Sequence, residues 1–350
     1  MKSLISSLLF FLLFFSNSII YAQELPPINN FAPKNYNGES QNWSISQSND
    51  GKLYVANNLG LLEFNGAEWE LYKTPNATIM RSVNVIEDKI FTGFYMDFGY
   101  WLRDEFGTLN YFSLVNSFKI PLLEDEQFWN IIEFEDWILF QSLQRIYLYN
   151  TKTDEIQIIN SDVKITKMFH VKDDIYYQKL GKGLYKIDKG NSVLVSDSTL
   201  FKNEDIINIH YINEELLVLT NLSGFVKLKE NTVSFWTEAN ENLKNNKVYN
   251  STQLSNGDFA IGTISNGVVF LNAEGLLKYK ISQINGLNNN TVLSLFEDVN
   301  GTVWLGLDNG ISSVDFNSSI KIFKEEKGAI GAVYATKILN NYFYLGTNQG

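Results

Sequence analysis

From Asn42 onward the chain alternates between short apolar runs and clusters of Asn, Asp and Gly, in a pattern of about 40 residues that recurs: apolar strand, tight turn, apolar strand, glycine, apolar strand. The runs "KLYVAN", "KIFTG", "WILFQ", "DIYYQ", "LLVLT", "FAIGT", "VWLGL" and "FYLGT" are rich in β-branched and aromatic residues and bounded by turn residues. Their length and flanks predict buried strands and not helices. The residues that end these second strands, Ala56, Gly93, Phe140, Gln178, Leu219, Gly262, Gly306 and Gly346, are spaced by 37 to 47 positions. That spacing is the period of propeller blades and exceeds that of leucine-rich or ankyrin solenoids. A glycine follows each landmark within a few residues, at Gly60, Gly99, Gly183, Gly224, Gly267, Gly310 and Gly350; in the third copy Arg145 stands there. Asp50-Gly51, Asn256-Gly257 and Asn300-Gly301 place residues that tolerate positive φ where a hairpin reverses.

Strands A, B, C and D of one copy therefore read as a four-stranded antiparallel blade, which buries both faces only when blades pack radially. The fold class is all-β, a β-propeller of seven repeats plus a truncated eighth. Residues 1–22 form a signal peptide, 23–41 a lead-in that can supply a closing strand, and 42–350 a propeller left incomplete at its C-terminus.

Composition narrows the setting. The opening "MKSLISSLLFFLLFFSNSIIYA" has one Lys and an apolar core from Leu4 to Phe15, too short to span a hydrocarbon layer of about 30 Å, so it reads as a cleaved signal peptide of an exported, periplasmic segment. The chain has no Cys, which excludes disulfides, thiolate zinc sites and cysteine nucleophiles. A net charge of -11 without any Lys/Arg-rich run argues against nucleic acid as a partner and against binding anionic membranes by charge.

The copy "GLNNNTVLSLFEDVNGTVWLGLDNGISSVDFN" from Gly286 resembles the two-component regulator propeller repeat, with its Gly-Leu, polar turn, valine strand, Glu-Asp, Gly and a Trp-x-Gly strand. The opening copy "NWSISQSNDGKLYVANNLGLLEFNGAEW" resembles the first blade of such proteins in Bacteroidetes-type bacteria. The resemblance covers essentially everything after the signal peptide, strongly in copies one, six and seven and weakly in three to five. It implies the N-terminal part of a periplasmic sensor anchored in the inner membrane. A second propeller, a β-sandwich, a transmembrane helix and a histidine kinase or helix-turn-helix output domain would follow beyond residue 350. Partners implied on this reading are a carbohydrate or other small ligand, the later domains of the same chain, and a second protomer.

Little in the chain suggests chemistry of its own. His170 and His210 stand in strand A of copies four and five with no second ligand at metal spacing, and read as core or channel-wall residues. The acidic pairs Asp173-Asp174, Glu214-Glu215 and Glu325-Glu326, and the run Glu124-Asp125-Glu126, fall mostly in turns. Sialidase boxes, tryptophan docking repeats, nucleophile elbows and phosphate loops are missing. The segment thus reads as a non-enzymatic ligand sensor without cofactor or metal, the ligand an oligosaccharide. The alternatives are a scaffold that binds a protein or peptide, and an exported hydrolase or lyase.

With A running down, B up, C down and D up, the B–C and D–A loops share one face. The irregular loop on it is "FYMDFGYW", Phe94 to Trp101, in copy two. Tyr95, Asp97 and Phe98 are expected to meet a ligand there by ring stacking and a carboxylate hydrogen bond. Trp129 and Arg145 are further candidates on the same face.

Overall fold

The computed structural model describes residues 23–324, 331–340 and 342–349; the segment 1–22, read above as a signal peptide, and the pair Glu325-Glu326 lie outside them. Residues 27–318 form one compact unit and 319–350, with 1–26, another.

Within the larger unit the short apolar runs become the second strands of their blades. Leu53–Asn57, Phe259–Thr263 and, except at its first residue, Thr302–Leu307 are buried at every position, as two packed faces require. Seven four-stranded antiparallel sheets result. The first blade comprises Asn42–Gln47, Leu53–Asn57, Gly60–Phe64 and Trp69–Lys73. The second comprises Met80–Ile86, Lys89–Phe94, Asp97–Arg103 and Leu109–Ser113, and the third Asn130–Phe134, Trp137–Gln141, Arg145–Asn150 and Glu155–Asn160. The hairpin glycines Gly51, Gly257 and Gly301 have φ of +88°, +89° and +77°, the left-handed values their turns demand.

The seventh blade explains how the ring closes. Its inner strands are Val292–Glu297, Thr302–Leu307 and Ile311–Asp315, but its outer strand is Ile28–Phe31, from the N-terminal lead-in. Phe31 anchors that strand, stacking on Trp304 at 5.9 Å and meeting Trp69 edge-on at 5.5 Å. The expectation of a ring left unfinished at residue 350 is corrected by this arrangement: the seven blades close among themselves. The eighth repeat supplies the hairpin Val333–Leu339 with Tyr342–Thr347 in the smaller unit. In that unit Gln23–Leu25 also pairs with Ile322–Lys324.

Side-chain bonds from an innermost strand to the next blade stitch six of the seven junctions. Ser44 Oγ donates to Val83 O (3.1 Å), Ser82 Oγ to Phe128 O (2.8 Å), Asn130 Nδ2 to Met168 O (2.8 Å), Asn208 Nδ2 to Ser251 O (2.7 Å) and Asn250 Nδ2 to Leu293 O (3.0 Å). Ser294 Oγ donates to Asn42 O at 3.1 Å and so joins blade seven to blade one. Small landmark residues follow from this crowding: a Cβ on Gly306 would lie 2.1 Å from Ser294 Oγ, and one on Gly93 2.6 Å from Phe128 Cβ.

Candidate functional site: the channel mouth

Strand A of each blade lines the channel, and in six blades its first residues break register with strand B. The irregularities lie between Asn42 and Ser44, Met80 and Ser82, Ile165 and Met168, Ile206 and Asn208, Val248 and Asn250, and Val292 and Ser294. A bulge re-aims a side chain that the ladder would otherwise commit to the sheet. The residues set free this way include Trp43, Arg81, Lys167 and Tyr249, all at the end of the channel that carries the B–C and D–A loops. In blade three Trp129 takes the corresponding place just before Asn130, its N–H bonded to Gln141 O at 2.8 Å.

Three of these side chains assemble. The guanidinium carbon of Arg81 lies 4.3 Å from the ring centroid of Trp43 and 4.5 Å from that of Trp129, and the two indoles stand edge to face at 6.0 Å. Arg81 thus sits in the corner made by two perpendicular rings, each of which attracts the cation. Arg81 Nε donates to Gln127 Oε1 at 3.0 Å, and Trp43 Nε1 to Asn58 Oδ1 at 2.7 Å. The network runs on through Asn58 Nδ2 to Gln41 Oε1 (3.0 Å) and Gln41 Nε2 to Asp308 Oδ1 (2.6 Å), tying the loops of blades one and seven. By contrast, Arg81 Nη1 and Trp129 Nε1 are buried without a hydrogen-bond partner.

Electrostatics mark the same place. Burial pulls the Arg81 guanidinium below its usual range, opposed by the Tyr249 phenol. Burial pushes the Tyr249 phenol up, opposed by Arg81. Since these residues belong to blades two and six, that mutual influence acts across the channel. Lys167 in blade four is pulled down to about 8 by burial alone. Beside Trp129 a cavity of about 370 Å³ opens, lined among others by Asp125, Gln127, Ser142, Gln144 and Lys164. Larger grooves of about 530 and 440 Å³ lie between hairpin tips on the opposite face, away from these unpaired donors.

The five residues singled out in the sequence do not form one site. Strand C of blade two begins at Asp97, so Phe94 to Trp101 is not a loop: only Tyr95 and Met96 turn, and Trp101 is buried. Phe98 is fully buried between blades two and three, 4.6 Å from Phe128 and 4.4 Å from Phe140, out of reach of a ligand. Asp97 is half-buried and accepts from Ser113 Oγ at 2.7 Å; burial raises its pKa, opposed by that bond. Tyr95 donates to Asp125 and bridges Gln127 by its backbone, so it sits at the rim. Arg145 is used locally, Nη1 donating to Pro121 O at 2.9 Å and Tyr147 Oη at 3.1 Å. Trp129 alone of the five enters the channel mouth. Trp43, Arg81 and Tyr249 were missed because a bulge at the first residues of a strand leaves no mark in the apolar pattern; three aromatic or cationic residues at the starts of strands A were the available signal.

His210 is buried, 5.2 Å from Phe259, and burial pulls its pKa down to about 4. Among the described residues no group of three His, Cys, Asp or Glu side chains could hold a metal ion.

The class is therefore a seven-bladed β-propeller with an aromatic channel mouth that holds Arg81. The family model described as two component regulator propeller matches residues 286–309, within the seventh repeat. The fold is shared with the extracellular domain of a putative one component system from B. thetaiotaomicron, at 19% identity and a TM-score of 0.64, over 83% of this chain and 40% of that one. It is shared also with the extracellular domain of a putative hybrid two component system from the same organism, at 15% identity and a TM-score of 0.67, over 94% of this chain and 47% of that one. The chain thus spans less than half of either domain. Virginiamycin B lyase from Staphylococcus aureus has the same fold at 14% identity and a TM-score of 0.63, over 84% of this chain and 100% of that one. No curated protein matches the sequence. Among the described residues no helix is long and apolar enough to cross a membrane.

Proposed function

We propose that this propeller is the non-catalytic, ligand-sensing module of an exported signal-transduction protein, and that it binds an oligosaccharide over the channel mouth. The carrying observation is the pair of half-exposed indoles, Trp43 and Trp129, held edge to face at 6.0 Å beside a cavity of about 370 Å³. Flat aromatic faces with a few convergent polar groups suit the apolar face and hydroxyl rim of a sugar ring. The shared fold with extracellular domains of putative one and two component systems and the regulator propeller repeat support the sensing role. An output domain on the same polypeptide belongs to this proposal.

Isothermal titration of the purified protein against a glycan panel tests it. Binding of at least one oligosaccharide is expected, weakened about tenfold or more by Trp43→Ala with Trp129→Ala, as lost stacking implies. A folded protein that binds none of the panel overturns the reading.

A further inference from the structure

We infer that the channel mouth is a receptor for a carboxylate: Arg81, seated in the corner of Trp43 and Trp129, takes the acid group of a ligand such as a uronic acid residue, and the Trp129 indole N–H is its second donor. The inference rests on the sensing role proposed above and specifies the ligand class. The chain has three arginines among 39 acidic residues, and two of the three are committed within the protein. Arg103 Nη2 pairs with the buried Glu63 carboxylate at 2.5 Å, and Arg145 bonds Pro121 O and Tyr147. Arg81 has no carboxylate partner. Of the acids near the mouth, Asp125 is engaged by Tyr95, Glu126 by Ser142 and Tyr147, and Asp308 by Gln41, while Glu124 lines the cavity beside Trp129.

A buried donor without an acceptor is costly, and a charged one more so. Here two such donors, Arg81 Nη1 and Trp129 Nε1, belong to side chains in contact. The two perpendicular indoles form a corner around the guanidinium and Gln127 occupies its Nε edge, which leaves Nη1 without an acceptor. That end matches a planar carboxylate, to which guanidinium donates in a fork. The acids Glu124, Asp125 and Glu126 that line the neighbouring cavity favour a monoanion over a sulfate or phosphate dianion, since like charges brought close repel. Tyr249, across the channel with its phenol kept neutral by burial, adds a hydroxyl and no opposing charge.

Titration of the full chain with a glucuronate-terminated oligosaccharide and its neutral glucose counterpart, monitored by calorimetry and tryptophan emission, tests this. The acidic ligand is expected to bind about tenfold or more tightly than the neutral one. Arg81→Lys, which keeps the charge and loses the fork, should abolish that preference. Trp129→Phe, which keeps the ring and removes the N–H, should lower the preference about threefold to tenfold and serves if Arg81→Lys fails to fold. Acetate distinguishes the sources: acetate alone quenching with the full affinity gain identifies a free carboxylate, whereas a gain seen only with the sugar identifies a uronate. Equal affinity for acidic and neutral glycans, unchanged in Arg81→Lys, overturns the carboxylate inference and leaves the sensing role standing. Acetate quenching in the native protein and not in Arg81→Lys, with no glycan bound, overturns the oligosaccharide reading and keeps the carboxylate site.

Discussion

His210 shows at the scale of one residue how the propeller turns a polar side chain into a core group. Its ring packs on Phe259 at 5.2 Å and its pKa is pulled from 6.5 to about 4 by burial. The unfolded chain therefore takes up a proton before the folded one does, and folding stability is full above pH about 6.5 and falls as pH drops toward 4. The loss from this group reaches at most about 3 kcal/mol. Urea denaturation between pH 7 and 4 should show this slope, and His210→Leu should flatten it; an unaltered slope places the acid sensitivity elsewhere. Phe98 makes the complementary point. Wholly buried among Phe128, Phe140 and Tyr147, it should cost about 3–5 kcal/mol on replacement by Ala, measured as a lower denaturation midpoint, with the ligand affinity of the remaining folded protein unaltered.

Among the elements, the closing strand Ile28–Phe31 carries the most consequence. It caps the edge of Ile311–Asp315, whose first four residues are buried, and an uncovered edge of that kind invites pairing with other chains. A chain truncated to begin at Ala32 should melt at least about 10 °C lower or associate on heating, since several kcal/mol of pairing and aromatic contact are lost together. A melting temperature within about 2 °C of the intact chain would show that the ring closes without this strand. The turn at Tyr95-Met96 illustrates what the strand pattern conceals: aromatic residues from Phe94 to Trp101 read as a loop, yet Phe94, Phe98 and Trp101 are buried because strands of blade two carry large rings on the faces that meet blades one and three.

For the whole molecule, the net charge of -11 opposes the approach of an anionic ligand, although Arg81 stands at the channel mouth. At about 10 mM salt the screening length is roughly 30 Å and at 0.15 M about 8 Å. Association of a uronate oligosaccharide should therefore become faster as salt rises over that range, with dissociation little changed, because the close contact to Arg81 is poorly screened. Stopped-flow tryptophan fluorescence measures both; a rate that falls with salt would mean that the local cationic field governs the encounter.

The blades were legible in the chain because burial on two faces forces apolar runs with a fixed period, and because hairpins and crowded junctions need glycine at Gly51, Gly60 or Gly306. Those constraints are local, so one strand and its neighbours suffice to express them. The channel mouth was not legible beyond Trp129. Trp43, Arg81 and Tyr249 are separated by dozens to hundreds of positions, and they face one another only because six bulges free the first residues of strand A while closure by Ile28–Phe31 sets the width of the ring. The sequence by itself determined the blade and its repeat; the tertiary structure decided the number of blades in the ring and which arginine was left without a carboxylate partner, since both depend on contacts between residues far apart in the chain.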